Sequence, residues 1–241
     1  MEEQFIRTAA VLGEEAVKLI QSKTVMLLGL GGVGAACAEA LVRGGIGRLI
    51  LVDGDIIKPS NINRQLFALH STLGMKKTDA AIDRLKDINP NVQLEPYSIF
   101  VNENNIHMLP FDECDLIIDA IDDTAAKVFI AKLAQDKNIP AYACMGTGNK
   151  AYPSMFKFAD IYDTNVCPLC RKMRKLYKNA GIEKLTVLYS PEPVKGQLFK
   201  ESGKIVPGST SFTPPIAGMM LAGKALLYFS EELSKEDNAI L

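Results

Sequence analysis

Two runs near the start of the chain, Thr24-Val-Met-Leu-Leu28 and Arg48-Leu-Ile-Leu-Val52, are apolar with no alternating polar positions. Runs of that length and character predict strands covered on both faces, as in a parallel sheet. Between them lie a glycine-rich turn, Gly29-Leu-Gly31-Gly32-Val-Gly34, and helix formers over 35–43, stopped by Gly44-Gly45. Strand, turn, helix and strand in this order predict a parallel βαβ unit. Residues 14–21 read as the end of an amphipathic helix ahead of it. Residues 115–118 and 140–143 supply further strands, and 76–88 and 125–137 further helices, so the leading architecture is α/β, doubly wound. From about residue 150 the pattern weakens. A basic stretch over 171–184 and a loop rich in Pro, Gly and Ser over 190–215 precede a last helix, expected over about 214–233. The apolar stretch over 214–223 stops at Lys224 and resumes only as far as Phe229. A membrane span needs about 20 apolar residues, so this reads as a buried helix with no membrane role.

Composition narrows the class. The 241 residues carry 27 Lys plus Arg against 28 Asp plus Glu, a net charge of −1, with 48% hydrophobic and 23% charged residues. These are ordinary values for a globular protein and exclude collagen, low-complexity disorder and a disulfide miniprotein. One domain over 1–241 is expected: a core of about 20–150, a basic, loop-rich region of about 150–215, and the C-terminal helix. Five cysteines, an odd count in a chain this long, fit a reducing cytoplasm. The acidic start, Met1-Glu-Glu-Gln-Phe-Ile-Arg7, has no apolar signal core, which agrees with a cytoplasmic location.

The chemistry begins at the glycine turn. Glycines between a strand and a helix let backbone approach a phosphate, and the helix N-terminus favours its charge. Gly29, Gly31, Gly32 and Gly34 are therefore nucleotide-binding candidates. Asp53, 19 residues after Gly34 at the end of the second strand, is placed to accept ribose hydroxyls in a Rossmann-like, mostly parallel fold. The nucleotide could be NAD or ATP, and the Walker pattern is absent. The segment beyond Asp53 separates the two. Asp53-Gly-Asp55 runs on to Ser60-Asn61-Ile-Asn63-Arg64-Gln65, with Lys77 opening the next helix. Cations at that place serve cleavage of a triphosphate better than hydride transfer. Asp119-Ala-Ile-Asp122-Asp123, at another strand end, supplies carboxylates suited to Mg²⁺.

On these residues the chain resembles the adenylating enzymes related to ubiquitin activation, including the thiamine- and molybdopterin-pathway adenylyltransferases. The resemblance implies a single ATP-dependent adenylating domain. In it Asp53 holds ribose, with Asp55, Asn63 and Gln65 beside the nucleotide, Arg64 and Lys77 contact phosphates, and Asp122 binds magnesium. It also implies a homodimer in which Arg7 reaches the nucleotide of the partner subunit. Within that superfamily the chain is most similar to the tRNA threonylcarbamoyladenosine dehydratases. The matching segments are Arg7-Thr running to Gly13-Glu-Glu-Ala16, Val166-Cys-Pro-Leu169, Tyr189-Ser-Pro-Glu-Pro193 and Pro207-Gly-Ser-Thr-Ser-Phe212. This implies ATP-driven dehydration of N6-threonylcarbamoyladenosine in tRNA. The rival implied by the wider superfamily is adenylation of the C-terminal glycine of a ubiquitin-like sulfur carrier. Docking of a sulfur-relay protein is left open.

Many relatives hold zinc on two Cys-x-x-Cys pairs; here there is one, Cys167-Pro-Leu-Cys170, and no cysteine after it. A closed tetrahedral site needs four ligands, so zinc is not expected unless subunits share ligands; the pair reads as reduced loop cysteines, with a redox or thioester role for Cys167 as the alternative, and Cys37, Cys114 and Cys144 as core. Arg171, Lys172, Arg174, Lys175, Lys178 and Lys184 stand against Glu183 alone, a local charge of +5. Such a strip suits tRNA phosphates, with Arg171, Lys172, Arg174 and Lys175 as the contacts and Lys195, Lys200 and Lys204 as an extension. Tyr177 within it could stack on a base or pack inward.

Overall fold

The computed structural model describes residues 2–193, 199–201 and 204–239, with residues 199–201, 204–206 and 232–239 described by backbone alone. Helices α1 (Ile6–Leu12) and α2 (Glu14–Ser22) lead into β1 (Thr24–Leu28), α3 (Gly32–Arg43) and β2 (Arg48–Val52). Then come α4 (Lys77–Ile88), β3 (Gln93–Tyr97), β4 (Leu116–Asp119), α5 (Thr124–Asp136) and β5 (Ala141–Cys144). The rest of the chain holds β6 (Lys157–Asp160), α6 (Pro168–Asn179), β7 (Thr186–Tyr189), the hairpin β8 (Phe199–Glu201) and β9 (Lys204–Val206), and α7 (Thr213–Ala239).

The main sheet has the order β3-β2-β1-β4-β5-β7-β6, parallel except for β6, which runs antiparallel to β7 at the edge. The expected α/β, doubly wound, mostly parallel fold is thus observed. Because both faces are covered, successive residues of β1 enter different cores. Val25 and Leu27 pack under α3, α4 and α7, whereas Met26 and Leu28 pack on the opposite face with Ile117, Ile130 and Ala134. A third cluster joins α6 to β5 and β7 through Cys170, Met173, Tyr177, Ala143 and Val187. The last helix runs to Ala239, beyond the expected 233, since its charged tail keeps helix formers while offering no apolar stripe. Its buried positions Ala217, Leu221, Ala222, Ala225 and Phe229 make the stripe that packs it down. Among the described residues no helix is long and apolar enough to cross a membrane.

Candidate active site

The C-terminal ends of β1, β2 and β4 converge where the strand order reverses, the usual place for a ligand in such a sheet. They open on a cavity of about 900 Å³. The glycine turn lines it with Gly29, Gly31 and Gly32. Gly29 has φ +91°, and a Cβ there would stand 2.7 Å from the Ala120 carbonyl oxygen, so only glycine fits. Gly34 does not line the cavity. A Cβ on it would meet the Gly29 carbonyl oxygen at 1.7 Å, so it serves the close packing of α3 against the turn.

Asp53 ties the turn to β2. Its Oδ2 accepts the Leu30 N–H at 2.7 Å and its Oδ1 accepts the Asp55 N–H at 2.8 Å. Lys77, only 6% exposed, stands with Nζ 3.3 Å from Asp53 Oδ2 and 3.1 Å from Asp55 Oδ2. The lysine expected on phosphates is thus cradled by two carboxylates on the cavity wall. Arg64 lays its stem over Gly32 and donates from Nη1 to the Ser60 carbonyl (2.9 Å) and Asn63 Oδ1 (2.8 Å). Its other guanidinium N–H groups have no partner among the described residues. Gln65 lines the cavity beside it, but Asn63 does not. The Asn63 amide donates to the Ser209 carbonyl at 3.0 Å, clipping the 207–210 loop to this segment and steering Arg64.

The three carboxylates after β4 divide the work. Asp119 is buried, accepts the Ile121 N–H, and pairs at 3.1 Å with Lys127, which is fully buried and donates to the Cys144 carbonyl at 2.8 Å. Burial pushes the Asp119 carboxyl above its ordinary range, against the pull of Lys127. Asp123 caps α5 by accepting the Ala126 N–H. Asp122, between them, is exposed, lines the cavity, and makes no hydrogen bond or ion pair among the described residues. It is the one of the three left for a ligand.

The remaining walls come from 99–102, 144–148, Lys150, 167–169 and 207–209. Cys167 and Cys170 are buried free thiols on the first turn of α6, not loop cysteines as expected, because the apolar third core draws that turn inward. The neighbouring Cys170 thiol, with the Cys170 and Leu169 N–H groups and the nearby Lys150 charge, pulls the Cys167 thiol below its ordinary range against burial. Cys37 and Cys144 are buried as expected, and Cys114 is partly buried. No cluster of three or more metal-ligating side chains occurs among the described residues.

The basic stretch forms α6 as far as Asn179, and Lys184 lies exposed beyond the helix. Cys170, Met173 and Tyr177 face the core, so Tyr177, fully buried, packs and does not reach a base. Arg171, Lys172, Lys175 and Lys178 are exposed, although Lys172 donates to Thr124 Oγ1 at 3.0 Å. Arg174 is half-buried and holds the Thr164 carbonyl and hydroxyl at 2.8 and 2.7 Å, an anchoring role that differs from the expected phosphate contact. Lys195 and the side chains of Lys200 and Lys204 lie outside the described residues. Arg7 sits exposed in the first turn of α1 and does not line the cavity of its own chain.

The profile of the ThiF family matches residues 4–239. The chain belongs to the ThiF family. This ThiF-family chain is 35% identical over 237 residues to the tRNA threonylcarbamoyladenosine dehydratase of Bacillus subtilis, covering 93% of each chain. The crystal structure of the Escherichia coli tRNA N6-threonylcarbamoyladenosine dehydratase with AMP superposes with a TM-score of 0.90 at 27% identity, covering 97% of this chain and 96% of that one. The same enzyme with ATP gives a TM-score of 0.88 at 26% identity and the same coverage.

Proposed function

We propose that this ThiF-family chain is an ATP-dependent tRNA threonylcarbamoyladenosine dehydratase. The observation that carries the reading is the gathering of Asp53, Arg64 and Asp122, the last without a partner among the described residues, on one cavity, in a chain alignable almost end to end with a protein of that name. The substrate carboxylate attacks the α-phosphorus of ATP. The bond to the bridging oxygen breaks and pyrophosphate leaves. Arg64 turns its free N–H groups to the phosphate oxygens as charge shifts onto the leaving group. The modification's own side chain then attacks the acyl carbon, closes the ring and expels AMP, which keeps one former carboxylate oxygen. That nucleophile is already tethered, so proximity assists closure and no protein nucleophile is needed. A sulfur-relay protein is required for neither step.

Mg²⁺ fits Asp122, an exposed hard oxygen donor facing the cavity with no partner among the described residues. When bound it would screen the phosphate charge. In a homodimer Arg7, exposed and away from its own cavity, is the residue to reach across to the partner's nucleotide. The core of about 20–150 and the basic region of about 150–215 work as one domain in the cytoplasm, where tRNA and ATP meet. α6 starts at the cavity wall with Pro168 and Leu169, so its exposed cations lead away from the reaction centre along a path for the tRNA backbone.

Exchange of labelled pyrophosphate into ATP should depend on tRNA carrying threonylcarbamoyladenosine and stay at background with tRNA lacking that group. Equal exchange with both would refute the assignment. The tRNA path has its own test in the triple variant Arg171→Ala/Lys175→Ala/Lys178→Ala, which spares the anchoring Arg174. Each phosphate contact contributes roughly 0.7 to 0.9 to the slope of log affinity against log salt, so the slope should shrink by about 2 to 3 at unchanged ATP affinity. A solvated helix face would leave the slope as it was.

A further inference from the structure

Lys150 is an unusual member of the cavity wall. It is 4% exposed, yet no carboxylate pairs with it among the described residues. Its ammonium has three N–H donors, and the one acceptor it meets among the described residues is the main-chain carbonyl of Glu192. The nearby Cys167 thiol feels this charge but accepts no hydrogen bond from it, so the desolvated ammonium keeps unfilled donors that an arriving anion would complete.

The surrounding loops hold it firmly in place. The Glu192 carboxylate, itself buried, accepts the N–H groups of Ala151 (3.0 Å) and Tyr152 (3.1 Å). Thr213, at the start of α7, donates its hydroxyl to the Lys150 carbonyl at 3.2 Å. Asn149 exchanges two hydrogen bonds with Gly208, at 2.8 and 2.6 Å. Three separate segments thus fix the backbone around one lysine on the cavity wall, which is also lined by Met145–Gly148 and Cys167–Leu169.

We infer that Lys150 is the substrate-binding residue that receives the threonyl carboxylate and holds it for attack on the α-phosphate. The inference rests on the dehydratase reading and supplies its carboxylate subsite. Glu192 is the positioning residue, since its carbonyl directs the ammonium and its carboxylate fixes the loop. As adenylation proceeds, the negative charge of the carboxylate moves to the phosphate. Lys150 then keeps a hydrogen bond to the acyl oxygen, and the ring-closing nucleophile meets a carbonyl already polarised.

The test uses an anticodon stem-loop RNA bearing threonylcarbamoyladenosine as the free acid or as its methyl ester, which removes the charge and adds one methyl group. The wild-type chain should bind the acid about 30-fold more tightly than the ester. Lys150→Met should bring the two within about threefold of each other, with ATP affinity and thermal midpoint unchanged. Lys150→Arg, which keeps the charge, should retain most of the preference. If Lys150→Met folds and still prefers the acid by the wild-type factor, the inference is overturned. If Lys150→Met fails to fold, Lys150→Arg decides, and loss of the preference in a folded, ATP-binding Arg variant overturns it. Wild-type protein that supports no substrate-dependent pyrophosphate exchange would instead sink the dehydratase reading, a result distinguishable from both.

Discussion

Asp122→Ala should lower substrate-dependent pyrophosphate exchange by on the order of 10²- to 10³-fold while leaving the thermal midpoint where it was. The two halves of that expectation have separate causes. The carboxylate makes no hydrogen bond or ion pair among the described residues and is exposed, so its loss removes no internal support. It faces the cavity directly after β4, where triphosphate charge must be screened, and losing a few kcal/mol of such screening is enough for that rate effect. Neighbouring Asp119 and Asp123 cannot take over, being committed to Lys127 and to the α5 cap. Raising Mg²⁺ should recover part of the activity of Asp122→Asn and little of that of Asp122→Ala. A variant with normal exchange at low Mg²⁺ would show that the wrong carboxylate has been assigned.

Lys127→Met should act in the opposite way, on the fold first. The Lys127–Asp119 pair is buried on both sides, and removing the cation strands a carboxylate in the interior, at a cost of about 3 to 5 kcal/mol. The Cys144 carbonyl also loses its donor. Because the pair joins the end of β4 to the first turns of α5 and the end of β5, ATP affinity should fall with stability as Asp122 loses its backing. Urea unfolding of the single variant and of Lys127→Met/Asp119→Leu checks the mechanism. The double variant should regain much of the loss, since two apolar groups need no partner. A double variant less stable than the single one would argue against a stranded charge.

Lys127 also shows where sequence patterns stop being informative. A lysine in a helical stretch reads as a solvated position, and its burial is decided by Asp119, which belongs to a different element. The spacing that could have revealed it is an aspartate at a strand end followed by a lysine in the first turns of the next helix. The buried parallel strands β1, β2, β4 and β5 were legible because covered strands are apolar throughout. β3 was not, since Gln93-Leu-Glu-Pro-Tyr97 lies at the sheet edge, half exposed, and carries a proline. With β3 unseen, the 99–102 wall of the cavity was unseen too. β6, Lys157-Phe-Ala-Asp160, is bounded by charges and not fully buried, and β7, Thr186-Val-Leu-Tyr189, lies between the basic stretch and a proline-rich loop, so neither stands out as a covered strand. At the site, motif spacing located Asp53, Arg64 and Asp122, but it could not tell that Asn63 and Gly34 support the cavity from outside. Lys150 stands in no motif, and its significance comes from burial and from loops distant in the chain.

The C-terminal helix meets the nucleotide turn with nothing compressible between them. A Cβ on Gly218 would lie 2.1 Å from the Val33 carbonyl oxygen, and one on Gly32 would lie 2.9 Å from Pro214 Cβ. Backbone therefore rests on backbone at Gly218 and on the rigid proline ring at Gly32, and neither contact offers a rotamer change to take up slack. A shift of α7 along its axis must carry the start of α3 with it, and with that the N–H groups that greet a phosphate. The pair behaves as a rigid strut, on which a push at the outer face of α7 is felt at the phosphate end without passing through the sheet.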